Sequence, residues 1–396
     1  MAGPLEGFRI IDMTGVLMGP FATTIMGDLG ADVIKIEAPE GDTTRRIGPS
    51  RNPGMSATFI QLNRSKRSVV LDLKQPAGRD ALLRLVETAD VLVFNLRPHT
   101  MAKLGLTYGT VSKANNRIVY CGVYGFGHRG RYAAKPAYDD LIQGAVALPS
   151  LHAAMGGEPR YLPITIADRS AGLTAIYTIL AALLARERSG KGQSIEVPMF
   201  ETMAQYVLSD HLYGRTFEPP IGGVGYPRLL TPNRRPYPTK DGYVCALIYN
   251  DKQWRAFLDL IGRPELLATE EFRSMGARTQ HIDKVYGFVA EIIAENTSAY
   301  WLKILGEADI PVMPLHTLES LIDDPHLADV GLIEEYDHPS EGRLLGVANP
   351  TLWSDTPPVP FRHAPQLGEH SREVLGEAGY SQHEVDELLA TSATDV

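Results

Sequence analysis

The strongest constraint on the fold is an alternation of apolar runs and amphipathic stretches in the first 125 residues. Residues 8–13 are typical of a buried strand, 20–30 of a helix and 32–37 of a second strand. Two consecutive strands that are joined through a helix form a βαβ unit, which places the strands side by side in a parallel sheet. The same pattern predicts further strands at 68–73, 91–95 and 117–124 and a helix at 77–88.

The pattern divides the chain into unequal parts. Residues 1–198 are expected to form an open, doubly wound α/β domain, in which a ligand binds at the carboxyl ends of the strands. Glycine and proline are frequent in 199–234, which predicts a linker and a loop. Strand and helix patterns return over 235–325 and predict a smaller α+β domain, and 326–396 follows as a C-terminal segment.

A second informative stretch follows Tyr161. Residues 161–166 resemble a short strand that stops at Asp168, and apolar residues then recur at three- and four-residue spacing as far as Ala185. Small residues fill the remaining faces, so this helix is expected to be buried all round and to stop at Gly190. Asp168 stands where a helix N-cap would stand, and from this stretch alone capping is the commoner role of such a residue.

Composition narrows the range of partners and compartments. The net charge of −9 leaves no basic excess for nucleic-acid phosphates. Cys121 and Cys245 match no metal-binding or redox spacing, so both are expected to be reduced thiols. Neither the first ten residues nor the apolar run at 171–185 predicts a signal peptide or a membrane span. We expect a cytoplasmic protein without a nucleic-acid or membrane partner.

Dinucleotides are common ligands of doubly wound sheets, but the motifs do not favour NAD. The first turn contains GVLMGP instead of the G-x-G-x-x-G that a pyrophosphate requires. A literal match at Gly125, Gly127 and Gly130 is followed by Pro136 and by no helical repeat. The sequence motifs of ATP-binding loops, zinc sites and serine hydrolases are also missing. Neither NAD nor a metal is therefore expected.

Basic residues recur at the predicted loops of the α/β half. The ordinary role of any one of them is a solvated surface. Their shared location at strand ends nevertheless favours an anionic, phosphorylated ligand. They are Lys66, Arg67, Lys74, Arg97, Lys103, Arg131 and Lys135.

Ordered stretches that cover nearly the whole chain form one family pattern. They are LEGFRIIDMT, GPFATTIMGDLGADVIKIEAPEGDTTR, LNRSKRSVVLDLK, NLRPHTMAKLGL, YGFGHRGRYAAKPAYDDLIQG, IADRSAGLTAIYTILAALLARERSGKGQSIEV and LGEHSREVLGEAGYS. In content and order they resemble the class III CoA-transferases, the CaiB–BaiF group.

The resemblance implies both the architecture and the ligand. A large Rossmann-like domain would be built from 1–198 together with 326–396, which returns to it after the small domain. Two subunits would interlock like links of a chain into a homodimer. The substrates would be a carboxylic acid and an acyl-CoA, with coenzyme A held by the large domain and its acyl end near the facing subunit.

The resemblance also assigns residues. Asp168 matches the catalytic aspartate, whose carboxylate would attack the thioester to give an anhydride and then an aspartyl-CoA thioester. The helix N-terminus would keep Asp168 ionised and would offer N–H groups to the oxyanion. The residues that fall where the family contacts CoA are Val16, Leu17, Leu71, Asp72, Leu73, Lys74, Asn95, Leu96, Arg97, Lys103, Lys135 and Tyr138.

Two other activities remain open. α-Methylacyl-CoA racemases belong to the same family, but they carry a histidine where this chain has Tyr138. A phenol with an ordinary pKa near 10 is a poor proton shuttle, so transfer is favoured over racemisation. A non-catalytic CoA-binding subunit would not need the carboxylate of Asp168. Asp139 and Asp140 are expected to cap the helix that follows them.

The acceptor acid is suggested by departures from the formyl-CoA:oxalate transferases. Those enzymes carry a glycine run that ends in glutamine, whereas this chain has only GGVGY at 222–226. Leu17 and Ala38 also stand where they have glutamine and arginine, so oxalate is not expected. A small dicarboxylic acid is expected instead, because arginines that follow the loop could clamp a distal carboxylate, although surface arginines in a loop are equally common. The expected acyl-site residues are Gly222, Gly223, Arg228 and Arg234.

Overall fold

The computed structural model describes residues 3–359 and 362–392, and these form two compact units. Unit 1 contains the described residues of 1–145, 163–204 and 326–396, and unit 2 contains Val146–Leu162 and Gln205–Pro325. The remaining residues of the predicted N-terminal and C-terminal segments (1, 2, 360, 361 and 393–396) lie outside the described part.

Unit 1 is built on a six-stranded parallel sheet with the order β3-β2-β1-β4-β5-β6. The strands of the chain are β1 (Arg9–Met13), β2 (Asp32–Glu37), β3 (Lys66–Val70), β4 (Val91–Phe94), β5 (Val119–Tyr124), β6 (Gln193–Pro198), β7 (Tyr237–Pro238), β8 (Tyr243–Ala246), β9 (Val312–Pro314), β10 (Ile333–His338) and β11 (Gly342–Val347). β1 is central, since its Ile10 pairs with Val33 of β2 on one side and with Val91 of β4 on the other.

Helices connect and cover these strands. In chain order they are α1 (Met18–Asp28), α2 (Ala57–Asn63), α3 (Pro76–Val86), α4 (Pro98–Lys103), α5 (Tyr108–Ala114), α6 (Asp139–Ala145), α7 (Leu148–Ala154), α8 (Ile166–Ser189), α9 (Met199–His211), α10 (Pro227–Leu230), α11 (Asp251–Leu260), α12 (Met275–Gln280), α13 (Ile282–Ile293), α14 (Ser298–Glu307), α15 (Leu318–Ile322), α16 (Pro325–Asp329), α17 (Ser371–Glu377) and α18 (Gln382–Ser392).

The core of unit 1 explains why its strands are so apolar. A parallel sheet is covered on both faces, and β4 is accordingly buried along its whole length and β5 along all but its last residue. Ile11, Ile34 and Phe94 of the sheet share one cluster with Leu82 of α3 and Leu375 of α17. The C-terminal segment therefore completes the core that the N-terminal strands begin.

Unit 2 has its own core and a small antiparallel sheet. Its strand order is β7-β8-β9, with Val244 of β8 paired to both neighbours. Trp254 and Phe257 of α11 and Val289 of α13 pack in the same cluster as Val244. Helices and an antiparallel sheet thus occur together in unit 2.

Two local predictions are wrong, and one strand was missed. Residues 161–166 do not form a strand, because helix α8 already begins at Ile166. Strand β6, which lies at the edge of the sheet, was not predicted from the polar sequence at 193–198. The stretch predicted as linker and loop begins with helix α9, where only Met199, Thr202 and Met203 are buried.

Helix α8 is longer and less completely buried than expected. It ends at Ser189 with Gly190 in the left-handed conformation (φ 71°), which confirms the predicted stop. Leu173, Tyr177 and Leu184 are 49–64% exposed, so one face is not covered within the chain. Within the described residues α8 is the one helix long and apolar enough to cross a membrane, but 56% of its most apolar window is buried in the protein.

Charged residues are buried at the centre of the sheet. Lys66 of β3 is almost fully buried, and its Nζ contacts Asp12 Oδ2 at 3.1 Å and Asn63 Oδ1 at 3.0 Å. Lys35 of β2 lies beside them and its Nζ contacts Asp42 Oδ2 at 2.9 Å. Burial opposes ionisation of Asp12, but Lys66 and Lys35 hold its pKa at about 2. The pairs are therefore ionised inside the fold.

We expect Lys66→Met to destabilise unit 1 by about 3–5 kcal/mol, because Asp12 would keep a buried charge without its partner. The free energy of unfolding is measured by urea denaturation followed by circular dichroism. Lys113→Met is the matched control, since Lys113 is exposed on α5 and its substitution should change the value by no more than about 0.5 kcal/mol. Equal stability of the two variants would contradict the role given to Lys66.

Candidate active site

The strand order reverses between β1 and β4, and the loops that leave these two strands are tied together. Gly15 N–H donates to Asn95 Oδ1 (3.1 Å), and Asn95 Nδ2 donates to Gly15 O (2.8 Å). Gly15 follows β1 and Asn95 follows β4, so both lie at the carboxyl edge of the sheet. Ligands of doubly wound folds bind in the crevice at such a switch point.

The loop after β1 is held in an unusual conformation. Val16 has φ 71°, a region that β-branched residues rarely occupy. Its N–H donates to Asp42 Oδ1 at 3.2 Å, and the other carboxylate oxygen of Asp42 is bound to Lys35. A strained residue that its surroundings fix in place is frequent at functional sites.

The first turns of α8 lie against the start of α1. A Cβ on Gly172 would be 2.9 Å from the carbonyl oxygen of Met18, so only glycine allows this approach. Arg169 Cζ lies 4.4 Å from the centre of the Phe21 ring. Since α1 begins directly after Val16 and Leu17, this packing brings the first turn of α8, with Asp168, to the same edge of the sheet.

Asp168 is the third residue of α8 and not its N-cap. The cap position is Thr165, whose side chain makes no capping bond. Asp139 caps the helix from α6 instead, since its Oδ2 accepts the N–H of Asp168 at 3.0 Å. The prediction that Asp139 caps the helix after it is wrong for this reason. One N–H that was expected to face an oxyanion is therefore already bonded.

The expected ionisation of Asp168 is also corrected. Burial, and after it the charge of Asp139, raise the pKa of Asp168 to about 7, and Arg169 only partly offsets these two effects. Among the described residues, none donates a hydrogen bond to the carboxylate of Asp168. A carboxylate in this environment is more basic than an ordinary one, and it is correspondingly a better nucleophile when ionised.

The residues expected to contact CoA all follow the carboxyl ends of β1, β3, β4 or β5. Leu71 is buried, and Asp72 Oδ1 accepts the N–H of Lys74 at 3.0 Å in the turn after β3. Leu96 is partly buried against the core. Tyr138 is 68% exposed. The structure thus gathers these positions at one edge of the sheet, and their contact with CoA stays a prediction.

The cations predicted to favour an anionic ligand fall into two groups. Lys74, Arg97, Lys103, Arg131 and Lys135 are exposed, and none of them forms an ion pair with another described residue. Arg97 donates to the carbonyl of Ala134 at 3.3 Å.

Lys66 and Arg67 form the second group; they lie at the amino end of β3 and are not available to an anionic ligand. Lys66 is paired with Asp12 and Arg67 with Asp32 and Glu377, so the inference from their charge was wrong. Glu37, at the end of β2, is likewise occupied because Arg45 binds its carboxylate through two nitrogens.

The acyl-site candidates lie in unit 2. Gly222 and Gly223 pack closely against Gly214, whose N–H donates to Gly223 O at 3.1 Å. Arg234 is exposed. Arg228 is half-buried, with Nε donating to Tyr286 Oη at 3.0 Å and Cζ 4.7 Å from the Tyr249 ring.

The guanidinium of Arg228 is oriented but not neutralised. Within the described residues it has no carboxylate partner, and it lines a cavity of about 60 Å³. A cavity of this size has room for one carboxylate group or about two water molecules. The residues that line it include Tyr226, Tyr249, Trp254, Arg278 and Tyr286.

Other candidate sites are less suitable. A cavity of about 720 Å³ lies at the opposite edge of the sheet, where Arg9 and Arg67 already pair with Asp32 and Glu377. No group of three or more His, Cys, Asp and Glu side chains that could hold a metal occurs in residues 3–359 and 362–392.

Asp139, Asp42 and Lys35 shape the site without having been predicted as part of it. Their role could not be found from spacing, because each acts through a contact between distant segments. The AYDD motif did mark the position of Asp139, but capping by a distant helix leaves no local signal.

Comparisons with known proteins agree with this geometry. Residues 5–371 match CoA-transferase family III. The chain is 33% identical to a succinate–glutarate CoA-transferase of Agrobacterium fabrum, covering 94% of this chain and 95% of the relative. It is 34% identical to a formyl-CoA:oxalate CoA-transferase of Streptomyces coelicolor, covering 99% of both. A crystal structure of a CaiB/BaiF family protein from Brucella suis superposes with a TM-score of 0.79 at 30% identity, covering 96% of this chain and 100% of that one. The chain therefore belongs to CoA-transferase family III and is an enzyme that transfers coenzyme A.

Proposed function

We propose that the enzyme moves CoA from an acyl-CoA to a small dicarboxylic acid through covalent intermediates on Asp168. The observation that carries this proposal is the environment of Asp168. Its carboxylate is partly buried at the carboxyl edge of the sheet, has a pKa raised to about 7, and accepts no hydrogen bond from any described residue. Such a group is suited to attack a thioester and has no evident structural task of its own.

The reaction begins with attack on the donor. An oxygen of Asp168 bonds to the thioester carbonyl carbon, the carbon–sulfur bond breaks, and CoA leaves as a thiolate. The thiolate then attacks Cγ of Asp168, which breaks the mixed anhydride and releases the donor acid as its carboxylate. The enzyme now carries CoA as an aspartyl thioester, and no proton has been gained or lost.

The second half repeats these steps in reverse. The acceptor carboxylate attacks Cγ of Asp168 and displaces the CoA thiolate, which gives a second anhydride. The thiolate attacks the acyl carbon of the acceptor, and Asp168 leaves as a free carboxylate. The product is the acyl-CoA of the acceptor acid, and the thioester bond energy is conserved throughout.

CoA is assigned to the crevice that the loops after β1, β3, β4 and β5 surround. The phosphates would be bound by the unpaired cations of that edge, while Asn95 fixes the loop that carries Val16 and Leu17. Lys and Arg that have no carboxylate partner are the residues available to neutralise a phosphate. The set is Lys74, Arg97, Lys103 and Lys135.

Asp168→Asn and Asp168→Ala should lower the transfer rate by more than about 10³-fold and leave the Kd for CoA nearly unchanged, because the nucleophile is lost and the CoA loops are intact. Rates are measured with a fixed acyl-CoA donor and Kd by calorimetry. After incubation with acyl-CoA and then hydroxylamine or borohydride, mass spectrometry should find the label on the peptide that contains Asp168. Asp140→Asn is the control, since Asp140 is an exposed carboxylate on the neighbouring helix.

Two results would contradict the proposal in different ways. Near-normal turnover by the Asp168 variants would show that another group is the nucleophile. Exchange of the α proton of the acyl group in deuterated water, without an adduct, would indicate a racemase.

The acceptor acid is proposed from residues in the first turn and in the glycine loop, because overall sequence identity does not distinguish a glutarate enzyme from an oxalate enzyme. A relative named for succinate and glutarate and one named for formyl-CoA and oxalate are about equally similar to this chain. The oxalate enzymes have one glutamine in the first turn and another at the end of the glycine run. This chain has Leu17 and Tyr226 at these positions. Arg228, which has no carboxylate partner among the described residues, is proposed to bind the distal carboxylate of the acceptor, and Gly222, Gly223 and Arg234 are proposed as further acyl-site residues.

Arg228→Gln should lower kcat/KM for glutarate by about 10–100-fold and change kcat/KM for butyrate little, because only the former would lose a charge-assisted hydrogen bond. Both constants are measured with the same donor. Arg255→Gln is the matched control, because it removes the same charge from an exposed position on α11 of the same unit. An equal loss for both acids would assign Arg228 a structural role through Tyr286.

We also propose that the enzyme is an interlocked homodimer. Support comes from α8, whose Leu173, Tyr177 and Leu184 leave an apolar stripe exposed at helical spacing. A stripe of this kind on the main helix of unit 1 is suited to a partner surface.

Light scattering should give about twice the 43.4 kDa chain mass, and interlocked subunits should not exchange between tagged and untagged dimers until they are unfolded. Leu184→Asp should prevent assembly, whereas Arg188→Glu at the end of the same helix should not. A monomeric wild-type protein, or rapid exchange of folded subunits, would contradict the proposal.

A further inference from the structure

Asp139 is a buried carboxylate without a counter-charge beside the proposed nucleophile. It is 7% exposed and is the first residue of α6. Its Oδ2 accepts the N–H of Asp168 at 3.0 Å, and its Oδ1 accepts Gln143 Nε2 at 2.6 Å. No cation pairs with Asp139 among the residues that the structure describes. A buried charge is ordinarily paired, so this arrangement needs an explanation.

The arrangement destabilises a second negative charge. When Asp168 is a free carboxylate, the field of Asp139 acts on it at short range and through a medium that screens poorly. When Asp168 is an anhydride or a thioester, it is neutral and the repulsion disappears. The hydrogen bond from the Asp168 N–H to Asp139 is present in both states and fixes the position of the residue.

We propose that Asp139 is a positioning residue that holds Asp168 through its backbone and raises the free energy of its free carboxylate, so that covalent capture of the acyl group and of CoA is favoured. This inference rests on the proposed function, since it requires Asp168 to be the nucleophile. The carboxylate of Asp139 does not itself react.

Among the charged and titratable groups on the elements that pack against α8, Asp139 is the one whose charge raises the pKa of Asp168. Two charged residues act on Asp168. Asp139 raises the pKa of Asp168, with an effect second to that of burial, and Arg169 lowers it. Burial raises the pKa of Cys121, Tyr120 and Tyr124 on β5, which keeps them neutral. Three other charged residues lie on α1, α6 and β6. Asp28 of α1 pairs with Arg64, and Glu196 of β6 bonds to His128. Asp140 of α6 is exposed.

The sign of the pH effect follows from these charges. The pKa of Asp168 is about 7, so the fraction of free enzyme with an ionised nucleophile falls as the pH falls through that value. Removal of the Asp139 charge lowers that pKa and extends the active range towards acid. Above pH 9 Asp168 is ionised in either case, and the variant should then form less covalent enzyme.

The test uses Asp139→Asn in the full-length enzyme, with Asp140→Asn as matched control. Asparagine keeps an oxygen that can accept the Asp168 N–H and removes the charge, and its NH2 group replaces the oxygen that accepts from Gln143 Nε2. Single-turnover formation of the Asp168 adduct from succinyl-CoA is followed by intact-protein mass spectrometry between pH 5 and 9.5. In the wild type, the rate of adduct formation should fall on the acidic side with a midpoint near pH 7. In Asp139→Asn this midpoint should move down by about one pH unit. At pH 9.5 the ratio of aspartyl-CoA thioester to free enzyme should fall about tenfold. Asp139→Ser, which also offers an oxygen acceptor without a charge, is measured in parallel and should shift both quantities in the same directions.

The possible outcomes separate the two proposals. No adduct on wild-type Asp168 would overturn the proposed function itself. An adduct in the wild type, together with an unmoved midpoint and an unchanged ratio in whichever of the two Asp139 variants folds, would overturn this inference alone. A uniform loss of rate at every pH would do the same, because it would show that Asp139 only supports the helix.

Discussion

The loop that forms the centre of the site depends on charges buried in the sheet. Asp12 of β1 and Lys35 of β2 are direct neighbours in the strand register. Lys35 Nζ donates to the carbonyl of Thr14 and to Asp42, and Asp42 in turn accepts the N–H of Val16. Ionised groups are costly to bury, but once all their hydrogen bonds are made they allow only one arrangement of the backbone around them. The positive φ of Val16 is held by this network.

Much of this fold was predictable because it follows from local pattern. β2 lies at 32–37 as predicted, and β3 begins two residues before its predicted start. What failed was the inference of exposure from residue type. Lys66 and Arg67 stand in a strand whose charged residues would ordinarily be on the surface, yet both are buried against carboxylates from other segments. Such pairs leave no periodic signal.

For the candidate site, the sequence predicted positions but not ionisation states. The position of Asp168 could be assigned from the order of the family stretches, but its ionisation could not. A helix N-terminus contributes about 0.3–1 kcal/mol to an anion, which is less than one unit of pKa. Burial and Asp139 together move the pKa from an ordinary value near 3.8 to about 7, so they outweigh the helix. Both effects depend on tertiary contacts, and neither can be seen in the strand-to-helix corner alone.

The two sets of buried charges in unit 1 show why Asp139 and Asp168 stand out. In β1, β2 and β3 and the segment that follows β2, Lys66 faces Asp12, Lys35 faces Asp42 and Arg45 faces Glu37, each at 3.1 Å or less. At the start of α8 the charge of Asp139 acts on Asp168, and only the charge of Arg169 offsets it. A fold that matches charges so consistently elsewhere gains no stability from this exception. Local conflicts of this kind concentrate where chemistry needs a reactive group, and a carboxylate that is released from repulsion by becoming an anhydride or a thioester is suited to covalent catalysis.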